Sequence, residues 1–146
     1  MKREDVVAET ESWVGTPFHH EGRQKGVGVD CAGLIIGIAK NLGLADWDFL
    51  GYSRQPHPAT TLGLLNELES KNIIRRIPIQ DAKPGDFYLF RILEDPQHFG
   101  IIVSEDRIVH AMWKKNKSVS KCVKTRFHKY WSERIVAAYR FSGVDE

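Results

Sequence analysis

Apolar residues recur along this chain with two different periods, and the change between them divides it. Over Arg3 to Val14, Val6, Val7, Trp13 and Val14 stand among acids and polar residues, which predicts a short helix with one inward stripe, closed by Gly15. Thr16 to Val29 holds Pro17, Gly22, Gly26 and Gly28 with few apolar residues, so it reads as a loop. Leu34, Ile35, Ile36, Ile38, Ala39 and Leu42 run almost the whole way round the next helix, which marks it as buried, and Gly43 is placed to end it. An irregular connection from Leu44 to Pro58 carries Trp47, Phe49 and Tyr52, aromatics that either cover the core or wall a cleft. Thr60 or Thr61 is then the expected cap of a third helix with Leu62, Leu65 and Leu68 on one stripe, ending near Asn72. From Ile73 onward the period is two. Strands are expected over Ile73–Ile79, Phe87–Leu93, Phe99–Val103, Arg107–Ala111, Val119–Thr125 and Ile135–Phe141, with a turn at Pro84-Gly85-Asp86 and a turn of helix within Arg126–Glu133. Helices first and strands afterwards predict an α+β domain in which an antiparallel sheet packs on the central helix.

Composition narrows the class. A length of 146 residues suits a single domain over 1–146, and 42% hydrophobic with 27% charged residues is an ordinary globular balance. The formal charge of +2 is too small to argue for nucleic acid, and the apolar run Leu34 to Ile36 is far too short to span a bilayer, so neither nucleic acid nor membrane is an expected partner. The charged start Met1-Lys2-Arg3-Glu4-Asp5 has no apolar core or cleavage site after it, so the expectation is cytoplasmic synthesis without a signal peptide. Cys31 and Cys122 do not make a disulfide framework. The basic run Lys114-Lys115-Asn116-Lys117, followed by Lys121, Lys124, Arg126 and Lys129, steers toward an anionic surface or is a solvated hairpin, with stacking positions for nucleic acid sparse apart from Trp113.

The candidate chemistry starts at Gly26-Val27-Gly28-Val29-Asp30-Cys31. Asp30 is a good N-cap, so Cys31 falls on the first helical turn, where unpaired N–H groups favour a thiolate and lower its pKa. Cys31 is therefore a candidate nucleophile, against the plainer reading of one more small buried hydrophobe. His19 and His20 are adjacent, point in different directions and lack metal-ligand spacing, so no metal is expected. A base for Cys31 is expected among the strands. If Ser104-Glu105-Asp106 is a three-residue hairpin loop, Val103 faces Arg107, Gly100 faces His110, and His98 is the diagonal neighbour of His110 on the same face. A loop of two or four residues puts the two histidines on opposite faces.

Three segments, Gly-Val-Asp-Cys-Ala-Gly-Leu around Cys31, His-Phe-Gly-Ile-Ile-Val from His98 and Ile-Val-His-Ala at His110, together resemble the NlpC-type cell-wall cysteine peptidases, papain-like enzymes acting on peptidoglycan stem peptides. Gly-Thr-Pro-Phe-His-His upstream and Gly-Tyr-Ser-Arg further on are similar to the phage-encoded branch. The likeness runs from about Gly15 to the last strand. It implies a papain-like α+β fold with Cys31 as nucleophile, His98 as base and then acid, and His110 as the residue orienting His98. It also implies an amide of a stem peptide as substrate, no cofactor, and delivery in a virion tail or with a lysis system, with phage tail proteins as partners. Phe18 stands where the family often has a tyrosine bordering the site, and Ala32 where it commonly has serine, so substrate contacts differ there. Asp30 caps the helix and is the candidate contact for a substrate ammonium group. Two other readings use the same residues: a non-catalytic wall-binding or tail-assembly module, and an acyltransferase or amidase on a different substrate.

Overall fold

The computed structural model describes residues 1–48, 58–92 and 95–146; its main sheet begins at Ile74, next to the expected Ile73, but a short hairpin already forms within the expected loop over Thr16–Val29. Phe49, Tyr52, the Gly51-Tyr52-Ser53-Arg54 segment and Leu93 lie outside the described residues.

Helix α1 (Arg3–Glu11) buries Val6 and Thr10, whose hydroxyl donates back to the Val6 carbonyl at 2.7 Å. Trp13 continues inward, but Val14 is 42% exposed because the chain has left the helix by then. The hairpin of β1 (Arg23–Gln24) and β2 (Gly28–Val29) leads into α2 (Cys31–Asn41), in which every residue from Ala32 to Ala39 is buried. Gly43 ends α2 with φ +75°, a left-handed conformation that lets the Leu44 N–H reach the Ala39 carbonyl at 2.8 Å.

Helix α3 (Pro58–Ser70) already includes Pro58, ahead of the threonines expected to cap it. Its inward stripe is Thr61, Leu64, Leu65 and Leu68, spaced as one helical face, while Leu62 is 47% exposed.

The sheet comprises β3 (Ile74–Ile77), β4 (Asp86–Ile92), β5 (Asp95–Ser104), β6 (Arg107–Met112), β7 (Lys121–Arg126) and β8 (Ile135–Phe141), preceded by the short helix α4 (Lys129–Ser132). The order is β3-β8-β4-β5-β6-β7, every neighbouring pair antiparallel. Pro78, which has no N–H, follows the end of β3 at Ile77. Val119 precedes β7 in a single helical turn and is 45% exposed. The outer edge of β7 is covered by the segment after α1: Gly15 and Phe18 donate to the Cys122 and Ser120 carbonyls, and Cys122 donates to Thr16, each at 2.8 Å.

Strand alternation sorts the apolar residues onto two faces. Leu34, Ile35 and Ile38 of α2 pack with Phe87, Leu89, Phe99, Ile101, Val109 and Ala111 on one. Tyr88, Phe90, Ile102, Ile108 and Ala138 pack with Trp131 of α4 on the other. Asp86, fully buried, takes both oxygens to Arg140 at 2.9 Å and one to Arg3 at 3.1 Å, tying α1 to β4 and β8.

Candidate active site

The approach to Cys31 is built around the Asp30 carboxylate. One oxygen accepts from the Gly33 N–H at 2.7 Å, capping α2, and also meets Arg23 Nη1 at 3.2 Å. Its other oxygen accepts from the Glu21 N–H at 2.8 Å. Arg23 Nε in turn donates to Asp48 at 2.9 Å. The group named from sequence as cap and candidate ammonium contact is thus engaged by the chain's own donors, and it holds the glycine-rich loop onto the helix end. Gly33 makes that closeness possible, since a Cβ there would lie 2.0 Å from the Gly22 carbonyl oxygen.

Cys31 is the first residue of α2 and half-buried. Its Sγ lies 3.8 Å from the carbonyl oxygen of Gln97, the residue before His98. The helix-end expectation was a lowered pKa. Burial and then the Asp30 charge outweigh the pull of the Ala32 and Cys31 N–H groups and of Arg23, and push the thiol up to about 12. Cys122 is free, fully buried in β7, and pushed up to about 12 by burial alone.

The histidines come together in a different way from the one expected. The β5–β6 loop has two turn residues, Glu105 and Asp106, which by itself would separate the rings. A register shift between Ile102 and Ser104 inserts Val103 as a bulge, and beyond it Ile101 pairs with Val109 and so Gly100 with His110. The bulge restores the face that the shorter loop would have lost. His98 Nε2 and His110 Nδ1 then share a hydrogen bond of 2.8 Å. Space is tight: a Cβ on Gly100 would lie 2.8 Å from the Phe90 ring.

Two partners escaped the sequence reading. His110 Nε2 and Thr125 Oγ1 share a hydrogen bond of 2.9 Å across β6 and β7. Trp131 stacks on His98 at 5.4 Å between centroids and meets His110 edge-on at 5.0 Å. Strand alternation puts Thr125 on the face of Val123, the cross-strand partner of His110, so a β6–β7 register would have found it. Nothing local marks Trp131. Under this cover burial, and secondarily His110, pushes His98 down to about 3, and burial pushes His110 down to about 4. Both rings are neutral at pH 7.

Cys31 packs on the α2 side of the sheet, whereas the two rings lie on the α4 side with Trp131 and Phe90. The meeting point is the start of β5, through the Gln97 backbone; among the described residues no hydrogen bond joins Cys31 Sγ to His98. Phe18 pairs through its backbone with Ser120 and Val29, and its half-buried ring packs on the core. His19 Nδ1 is 2.8 Å from the His20 carbonyl oxygen, and His20 Nε2 is 3.2 Å from Glu21. Among the described residues no group of three or more His, Cys, Asp and Glu side chains gathers as metal ligands would.

The NlpC/P60 family model matches residues 15–140. No curated protein matches the chain by sequence. Among solved structures, the NlpC/p60 domain of the peptidoglycan hydrolase SagA is 20% identical with a TM-score of 0.54, the match covering 86% of this chain and 90% of that one. The P60 domain of an antigen from M. avium subspecies paratuberculosis is 20% identical with a TM-score of 0.58, over 94% and 93% of the two chains. A protein of Staphylococcus aureus subsp. aureus described as similar to lipoprotein, NLP/P60 family, is 17% identical with a TM-score of 0.61; the match covers 99% of this chain but only 42% of that one. The shared architecture is the α+β one expected from the order of elements, and papain-like as the family resemblance implied.

Proposed function

The chain belongs to the NlpC/P60 family, and from that premise we propose that it is a cysteine peptidase hydrolysing an amide bond of peptidoglycan stem peptides. The observation that carries this reading is the hydrogen-bonded pair His98–His110, held at 2.8 Å beside the strand end where the Cys31 thiol meets Gln97. In the reaction the thiol leaves the Gln97 carbonyl for His98 Nδ1 and gives it the proton as sulfur attacks the amide carbon. The Cys31 N–H at the helix end supports the oxyanion. His98 returns the proton to the leaving amine, then takes one from the water that cleaves the thioester, and the thiol is restored with the carboxylate product. His110 orients the His98 ring throughout. Because thiol and imidazole are both neutral at rest, the proton moves at the moment of attack.

The motifs Gly-Thr-Pro-Phe-His-His and Gly-Tyr-Ser-Arg support a phage origin, with action at the cell wall from a virion tail or lysis system and phage tail proteins as partners. One observation favours a second reading as a non-catalytic wall-binding or tail-assembly module: Cys31 and His98 share no hydrogen bond. Incubating the protein with defined stem peptides and following products by mass spectrometry decides between them. Cleavage abolished by Cys31→Ala supports the peptidase. Binding to wall fragments without any cleavage supports the module.

A further inference from the structure

We propose that Thr125 is a positioning residue that holds His110 in its Nε2–H tautomer, so that His98 keeps an unprotonated Nδ1 for Cys31. The inference rests on the peptidase reading for its purpose but not for its test. Two neutral imidazoles sharing one hydrogen bond have two arrangements, and only one donates from His98 Nε2 to His110 Nδ1. In that arrangement His98 Nδ1 carries a lone pair, and the His110 proton sits on Nε2, donated to Thr125 Oγ1 at 2.9 Å. The opposite arrangement puts the His98 proton on Nδ1, and the ring is then no base toward the thiol. Nδ1 is the His98 ring nitrogen left over from the bond to His110, and the residue before His98, Gln97, is the one whose carbonyl Sγ meets at 3.8 Å.

Thr125 can accept or donate, so the preference comes from what happens when charge develops. As His98 takes the Cys31 proton, its Nε2–H bond to His110 strengthens, which polarises the His110 Nε2–H toward Thr125. Only the accepting threonine fits this state. His110 is 1% exposed, so without the threonine oxygen its Nε2–H has nowhere to go. A buried orphan N–H is more costly than a buried orphan lone pair, and the pair would then reverse. Thr125 is half-buried, and a hydroxyl can rotate its own proton away from a donor that it accepts from. No proton travels beyond His98: the one from sulfur lands on Nδ1, and His110 and Thr125 keep theirs.

The test uses ring nitrogen NMR at pH 7 on the whole chain, with signals assigned by His110→Gln, and in parallel the rate of Cys31 alkylation in a Cys122→Ser background. Wild type should show His110 protonated at Nε2. Thr125→Val, which keeps the shape and removes the oxygen, should move that proton toward Nδ1 and slow alkylation about tenfold, the worth of one hydrogen bond of this kind. Thr125→Ser should restore both. A wild-type His110 protonated on Nδ1, or a Thr125→Val protein that changes neither readout, overturns the proposal. Thr125→Val that loses its folded spectrum is replaced by Thr125→Ala, judged on the same two signals. None of this depends on turnover of a stem peptide, so failure there removes the substrate reading and leaves the tautomer result standing.

Discussion

Nε2 of His98 and Nδ1 of His110 lie 2.8 Å apart on neighbouring strands because a bulge at Val103 offsets a two-residue loop. The bond fixes the orientation of His98 through an acceptor, so the chemistry at position 110 matters more than its size. His110→Ala should lower stem-peptide turnover about a hundredfold, within the usual range for disturbing a general base. His110→Gln, which can still accept through its amide oxygen, should recover part of it. Equal losses in the two variants, measured as kcat on one defined peptide, would argue that position 110 contributes packing only.

Cys31 should carry no standing thiolate at neutral pH, its proton leaving for His98 only as an electrophile is attacked. With the thiol raised to about 12 and His98 lowered to about 3, no ion pair exists at neutral pH. In Cys122→Ser protein, iodoacetamide labelling of Cys31 should therefore keep rising up to pH 9 with no plateau in the acid range. A plateau already reached by pH 6 would mean a standing thiolate–imidazolium pair, as the helix-end argument by itself suggests.

That reversal shows where local sequence information ends. Asp30, Cys31 and Gly43 are legible because capping and termination depend on a few neighbouring residues, and the structure has Asp30 on the Gly33 N–H and Gly43 at φ +75°. In the α3 stripe Leu65 and Leu68 are buried as expected, but Leu64 takes the inward place expected of Leu62, since the two are equivalent until the sheet decides which face is covered. The pairing of His98 with His110 was reached in the right register for the wrong loop, because a bulge leaves no mark in an apolar run such as Ile101-Ile102-Val103. Trp131 and the sign of the Cys31 shift depend on how elements far apart in sequence enclose the site, which no local pattern carries.

The two histidines should also make the fold sensitive to mild acid. Their pKa values are depressed in the folded protein, to about 3 and about 4, against 6.5 when unfolded. The unfolded chain therefore binds more protons between these limits, and stability contributed by the neutral pair is full above pH 6.5 and lost as pH falls toward 4. Each ring gives a slope of up to about 1.4 kcal/mol per pH unit in that window. Urea melts at pH 7 and pH 4.5 should show wild type losing at least about 2 kcal/mol more than the His98→Asn/His110→Gln double variant. Parallel losses would mean that other groups govern acid unfolding.

Asp86 should be costly to neutralise. It is fully buried between Arg140 and Arg3, so Asp86→Asn leaves two guanidinium groups facing each other without their shared counter-charge. Removing one member of a buried charge cluster typically costs about 3 kcal/mol or more. The cluster is remote from the His98–His110 pair, so Cys31 labelling in the variant should be unchanged at temperatures where it remains folded. A loss below about 1 kcal/mol in urea melts would show that water reaches the cluster and screens it.

Gly33 joins the site to the fold most directly, and its replacement separates positioning from stability. An alanine Cβ at 33 would lie 2.0 Å from the Gly22 carbonyl oxygen and 2.8 Å from Arg23 Nη1. The arginine tip can swing aside, but the Gly22 backbone has no room to retreat, because a Cβ at Gly22 would itself meet the Gly28 carbonyl carbon at 2.4 Å. Gly33→Ala must therefore lever the loop away from α2, breaking the contacts of Asp30 with Glu21 and Arg23 and shifting Cys31 against Gln97. Overpacking of this kind costs about 1–3 kcal/mol. Gly43→Ala is the matched control: nothing lies within 4 Å of its Cβ, and the left-handed φ of +75° alone is strained, for about 1 kcal/mol. Both variants should melt earlier than wild type, but only Gly33→Ala should change the rate of Cys31 labelling at a temperature where both are folded. If Gly43→Ala alters labelling equally, the effect is general loosening of α2, and the loop built on Asp30 does not set the position of the thiol.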